Sequence, residues 1–219
     1  MEIKDSILLN KIDSIFENFF KTDQNILDDI NSNQDELNNL IIGNLNRLNN
    51  KNITVLKKFS DQILSGFQHR DLDKIEQIFL IKGKDLKVMD ITEDKKKLEI
   101  KGDLKKRKLQ TNDILIRVKG KVGPTAVVTA DMKGMYYYND IARIRVNNDQ
   151  VIPQYLSLYL NSFIGKHYLD KFKKNKSMKY IKISSLEKLP VLTPLLGDQW
   201  KIVQKFHVEK NIIEVMSDD

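Results

Sequence analysis

The side chains with chemistry to offer in this sequence are cations, and they come in groups. Lys95–Lys97, then Lys105, Lys106, Arg107 and Lys108, then Arg117 with Lys119 and Lys121, then the stretch Lys171–Lys182 punctuate the middle and later chain. Lysines and arginines at this density contact phosphates, and on duplex DNA they do so by releasing condensed counterions. Base sequence is read separately, by donors and acceptors that reach base edges in a groove. Residues of the right types for that task are Arg117, Lys119, Lys121, Asn175, Ser177, Lys179 and Tyr180, with Lys173, Lys174 and Lys176 alongside as phosphate contacts. Any single run reads as easily as a solvated loop. Their concentration in one region argues for a shared anionic partner. The Tyr136–Tyr138 run offers rings for base stacking, but it reads better as core with one ring outside.

Catalytic groups are harder to assemble. A nuclease-like Asp…Glu-x-Lys arrangement can be drawn from Asp85 or Asp113 with Glu99, but its order and spacing are wrong. Asn112-Asp113 and Asn139-Asp140 are simpler as turns. The loop Gly120–Gly123 lacks the GK[ST] ending of a Walker phosphate loop and runs into Pro124. The chain has no cysteine, and its three histidines, His69, His167 and His207, have no metal-ligand spacing. No catalytic residue, metal or cofactor is therefore assigned, and the chain is not read as an enzyme. The opening MEIKDSILLNKIDSIF is acidic and interrupted, unlike a signal peptide. No apolar run approaches the roughly 18–20 residues that span a bilayer. A soluble, cytoplasmic protein without a membrane partner is expected.

The elements that position the cations follow from periodicity. Residues 1–76 hold nine Lys and Arg against thirteen Asp and Glu, and residues 77–219 hold twenty-eight against seventeen, so a basic surface belongs to the later part. The early part reads as helix: Ile7, Leu8, Ile12, Ile15, Phe16, Phe19 and Phe20 share one face. A second helix, capped by Thr22 or Asp23, carries Leu27, Ile30, Leu37, Ile41 and Leu48 at roughly heptad spacing, and a third carries Val55, Leu56, Phe59, Ile63 and Phe67. From Asp73 the pattern changes to strands at Gln77–Ile81, Ile114–Val118, Thr125–Val128, Met135–Tyr138 and Ile141–Val146, the last with one face wet. Ile152-Pro153 starts a helix that Gly165 ends or interrupts. A strand at Met178–Ile183, a capping box of Ser184 and Glu187, an extended Leu189–Pro194 and a final helix from Asp198 to about Met216 complete the chain. The expected fold class is α+β, a mixed α/β chain. Residues 1–73 form a helical hairpin or coiled-coil region, 74–196 a twisted-sheet domain, and 197–219 a C-terminal helix.

Six pieces in order carry a resemblance: KIEQIFLIKGK at Lys74–Lys84, NDILIRVKGKVGPTAVV at Asn112–Val128, the strand Asp140–Val146, PQYLSLYLNSFIG at Pro153–Gly165, KISSLEKLPVLTP at Lys182–Pro194, and DQWKIV at Asp198–Val203. From about Lys74 to Lys205 the chain resembles a target recognition domain of the specificity subunit of type I restriction–modification systems. The resemblance implies an α/β domain that grips double-stranded DNA and reads a half-site. Methylation would fall to a partner adenine methyltransferase that uses S-adenosylmethionine and flips the target base from the stack. This chain would bind neither the methyl donor nor a nucleotide, and cleavage would fall to a third subunit.

The departures from that pattern also carry expectations. A full specificity subunit has two recognition domains and two long spacer helices, whereas here there is one recognition domain and one short C-terminal helix, with about 70 helical residues in front. A half-subunit that forms a homodimer through its helices fits this, reading a symmetric, interrupted site. A stand-alone domain without a methyltransferase also fits. The function expected is non-catalytic, sequence-specific DNA binding as a specificity-subunit-like protein of a restriction–modification or related defence system. The alternative is a regulatory protein with a degenerate recognition domain, binding a methyltransferase or a specificity subunit through its helices.

Overall fold

The computed structural model describes residues 3–20, 53–67, 75–92, 97–101, 105–147, 149–174 and 179–217. In chain order these form helix α1 (Ile3–Phe20), strand β1 (Ile53–Val55), a 3-10 turn (Leu56–Phe59) and β2 (Ser60–Ser65). Then come β3 (Ile75–Ile81), β4 (Leu86–Lys87), β5 (Asp90–Ile91), β6 (Lys97–Lys101) and a second 3-10 turn (Lys105–Arg107). β7 (Ile114–Arg117), β8 (Thr125–Val127), β9 (Tyr136–Tyr137) and β10 (Ile141–Val146) follow. The chain ends with α2 (Pro153–Asn161), α3 (Phe163–Phe172), the single turn α4 (Ile183–Leu186), β11 (Pro190–Leu192) and α5 (Leu196–Ser217). The fold is α+β.

The centre is a four-stranded antiparallel sheet in the order β2-β10-β7-β8. Successive side chains on a strand point to opposite faces, and here both faces are covered. Ile63, Ile114, Ile116, Ala142, Ile144 and Val146 enter the larger core with α1, α2 and α5. Leu115, Ala126 and Ile141 enter a second core with Leu109, Met132 and Tyr137. A three-stranded sheet, β6-β3-β9, lies beyond, with β3 antiparallel to β6 and parallel to β9.

The helical layer is tied together across the chain. Lys11 of α1 pairs with Glu209 of α5 at 2.8 Å. Asp13 of α1 accepts a 2.7 Å hydrogen bond from the backbone N–H of Phe163, at the N-terminus of α3. Burial pushes the Asp13 carboxyl up from its ordinary range, opposed by the Lys166 cation. Ser162 separates α2 from α3: its Oγ donates to Tyr159 O at 2.7 Å and accepts from Gly165 N at 3.4 Å. Gln199, in the first turn of α5, accepts from Ile152 N at 2.8 Å and donates to Pro194 O at 2.8 Å and Gln150 O at 3.0 Å. One amide thus fixes the entry of α2 and the entry of α5 together. No helix among the described residues is long and apolar enough to cross a membrane.

Several sequence expectations need correction. The third expected helix, through Val55 and Phe67, is instead β1, a 3-10 turn and β2. Its apolar spacing does bury Leu56, Phe59, Ile63 and Phe67, but the β-branched run Ile53-Thr54-Val55 pairs with Pro190–Leu192, and β2 pairs with β10. The expected second helix, including Thr22, Asp23 and the heptad residues to Leu48, lies outside the described residues. β10 is buried along both faces except at Arg145, which is half-buried, because Arg143 is turned inward and bonded within the protein. Ile183 opens α4 rather than closing a strand, and the cap of α4 is Lys182, with no side-chain bond, so Ser184 and Glu187 make no capping box. Gly165 does not end α2; α3 runs through it, since Ser162 makes the break.

Gly165 is required for a different reason: a Cβ there would meet Tyr159 O at 2.1 Å. Gly165→Ala must therefore displace the α2–α3 junction. The expected loss of unfolding free energy is about 1–3 kcal/mol, read as a lower urea midpoint at unchanged m-value.

Candidate nucleic-acid interface

The loop between β7 and β8 turns on two glycines in the left-handed region, Gly120 at φ +73° and Gly123 at φ +129°. Gly123 N donates to Arg117 O at 3.1 Å, and Arg117 N donates to Pro124 O at 3.0 Å, closing the loop. The Arg117 side chain curls back, its Nε donating to Lys119 O at 3.2 Å. The loop is then clasped from outside. Gly120 N donates to Lys179 O at 2.9 Å, Ile181 N donates to Val118 O at 2.9 Å, and Tyr180 and Lys174 exchange backbone bonds at 2.9 and 3.2 Å. Lys119, Tyr180 and Lys174 thus sit side by side in a short ribbon. Lys121, Lys174 and Lys179 are exposed on it, and Lys119 is half-buried. The structure brings these separate sequence candidates into one cationic edge.

Asn161 supports that edge from behind. Its side-chain amide is buried, accepting from Thr125 N at 3.2 Å and donating to Thr125 O at 2.8 Å. The first residue of β8, directly after the loop, is thereby held to the end of α2.

The second cationic segment, residues 105–108, is fixed elsewhere. Arg143 of β10 is fully buried, and its Nη1 donates to Lys106 O at 3.1 Å and Lys108 O at 3.3 Å. Its Nη2 donates to Gln62 Oε1 at 2.6 Å. Burial pulls the Arg143 pKa down, opposed by Tyr137 and Asp113 nearby. The Tyr137 hydroxyl is itself pushed up to about 12 by burial. Two residues on, Arg145 binds Asp113 in a fork, with Nε to Oδ1 and Nη2 to Oδ2 both at 2.7 Å. That hydrogen bonding holds the Arg145 pKa above its ordinary value. Asp113 Oδ2 also accepts from Gln110 N at 2.7 Å. Both arginines therefore pin residues 106–113 onto the sheet.

The remaining candidates fall as follows. Lys106 and Lys108 are exposed and Arg107 is half-buried, with its Nε donating to Ser65 O at 3.3 Å; Lys105 opens the 3-10 turn. Lys173 pairs with Asp170 on α3, which occupies its charge. Asn175, Lys176 and Ser177 lie outside the described residues. Tyr136 and Tyr137 are buried and Tyr138 is half-buried, so the run is core. Asp85 and Asp113 have structural partners: Asp85 Oδ2 accepts from Lys82 N at 2.8 Å and Asp113 serves Arg145. No group of three or more His, Asp or Glu residues among the described residues is arranged to hold a metal.

Sequence reasoning missed Asn161, Arg143, Arg145 and the pairing role of Asp113. The available signal was polarity out of place: an asparagine ending an apolar helix and two arginines inside an apolar strand.

Residues 80–217 match the family model described as the type I restriction modification DNA specificity domain. The chain belongs to that family. It is 26% identical over 107 residues to the type I restriction enzyme EcoBI specificity subunit of Escherichia coli, a match covering 49% of this chain and 22% of that protein. The fold is shared with the type I restriction–modification system S subunit of M. genitalium, at TM-score 0.51 and 14% identity over 78% of this chain and 42% of that one. It is also shared with the HsdS subunit of Thermoanaerobacter tengcongensis, at TM-score 0.54 and 16% identity over 74% and 43%. The chain therefore spans less than half the length of each of these relatives. The matched residues take in β7, β8 and β10, the cationic ribbon and α5, and leave α1, β1 and β2 outside.

The Arg145–Asp113 fork is testable alone. Asp113 is 1% exposed, so Arg145→Met strands a buried carboxylate and is expected to lower stability by about 3–5 kcal/mol in denaturant unfolding. Adding Asp113→Asn removes the stranded charge and is expected to recover part of that loss, which a double-mutant cycle measures.

Proposed function

We propose that this chain is a non-catalytic, sequence-specific DNA-binding subunit that directs a partner adenine methyltransferase in a restriction–modification or related defence system in the cytoplasm. The observation that carries this reading is the family match across residues 80–217. The ribbon that gathers Lys119, Lys121, Lys174 and Lys179 supports it, because phosphate contacts need several cations at one edge. The recognition unit in this reading runs from β1 to β11, with α1 and α5 as its helical arm. Catalysis is left to the partner.

The chain is expected to bind duplex DNA with an affinity that falls steeply with salt and to prefer one site over random duplex. Lys119→Ala with Lys121→Ala is expected to reduce the slope of log K against log salt by about 2, measured by fluorescence anisotropy. Equal affinity for every duplex would sink sequence specificity. An unchanged slope would leave the hairpin a scaffold.

We further propose a homodimer through the helices. Trp200, Val208, Ile212 and Val215 are exposed on α5 at 50–68%, opposite its buried Ile202, Val203, Phe206 and Ile213. Light scattering is expected to give twice the chain mass, and Trp200→Glu with Ile212→Glu to give the monomer. The same apolar face also favours the second reading, a regulatory protein that docks on a methyltransferase or specificity subunit. A monomer that captures such a subunit and binds no DNA would favour that reading.

A further inference from the structure

Beneath the cationic segment at 105–108 the protein has built a floor whose purpose the fold alone does not explain. A buried arginine is costly, and one that spends both Nη1 bonds on backbone carbonyls of a surface turn fixes that turn rather than a core contact. Arg143 does this to Lys106 and Lys108, while Gln62 holds its other end. Beside it, Arg107 Nε donates to Ser65 O and the Tyr137 hydroxyl donates to Leu64 O at 3.3 Å. These bonds frame a cleft of about 340 Å³ lined by Leu64, Ser65, Lys106 and Arg107. With its Nε engaged, Arg107 keeps two other guanidinium nitrogens, and Lys106 is exposed.

We infer that this cleft is a preformed site for a backbone phosphate of duplex DNA, separate from the β7–β8 ribbon, and that Arg143 is its positioning residue. The inference rests on the DNA-binding reading and adds to it a second anchoring point at the end of β2. Arg143 touches no phosphate. It holds the carbonyls of Lys106 and Lys108 inward, so that the backbone path of that turn is already set when DNA binds and only the side chains remain to be ordered.

The test is anisotropy of a labelled random-sequence duplex across a salt series, using the full chain. Lys106→Ala with Arg107→Ala is expected to lower the salt slope by about 2. Arg143→Lys is expected to lower it by a similar amount, and to lower it no further when added to the double variant. A purely structural Arg143 would lower the unfolding midpoint and leave the slope of the folded fraction untouched. Gln62→Ala, which frees only the Nη2 end, is the milder probe if Arg143→Lys fails to fold, and is expected to give part of the slope loss. A wild-type slope in the Lys106/Arg107 variant overturns the cleft. A wild-type slope in Arg143→Lys, or in Gln62→Ala where that must stand in, overturns the positioning role. A wild-type chain with no affinity for any duplex would instead defeat the DNA-binding reading itself.

Discussion

Two guanidinium groups on one strand face a covered side of the central sheet, and the arrangement around them follows from that. Charges removed from water destabilise the region that holds them unless partners offset the lost hydration. Arg145 takes a carboxylate, and Arg143 takes two carbonyls and an amide oxygen. All but the Gln62 amide come from the segment between residues 106 and 113. That segment is irregular apart from one 3-10 turn, with no ladder of its own to define its path. Its conformation is set by the strand beneath it, so a charged surface turn inherits the rigidity of the sheet.

The helical layer shows a comparable economy. α1 is far from α3 and α5 in sequence, yet Asp13 caps one and Lys11 pairs with the other. Gln199 joins the starts of α2 and α5 with three hydrogen bonds. Since α2 carries Asn161 at its far end, and Asn161 holds β8, the cationic loop is linked to the helical arm through two amides and a short, fully packed helix.

Much of this was legible in the sequence, and the failures have physical causes. β7, β8, β10, α2 and α5 were readable because apolar residues and Gly or Pro punctuation repeat at the spacing each element demands. The stretch 55–67 was misread because three- and four-residue apolar spacing also suits a 3-10 turn leading into a strand, and only the partners β11 and β10 decide between them. β10 was misread as half-wet because arginine normally marks solvent; no local rule reveals that carbonyls 35 and 37 residues earlier receive it. The cationic candidates were identifiable by type, but their grouping was not, because Lys119 and Tyr180 meet only through tertiary pairing.

β8 closes one side of the four-stranded sheet, and a bare outer strand is an invitation for another chain to pair with it. Asn161 answers its first residue as a neighbouring peptide group would, taking the N–H of Thr125 and giving an N–H to its carbonyl. Met89 N adds a second donor to that same carbonyl at 2.9 Å. One side chain and one backbone N–H therefore take the outward groups of Thr125, where the described residues offer no fifth strand. At Thr125, beside the cationic loop, the backbone groups that an added strand would use are already taken.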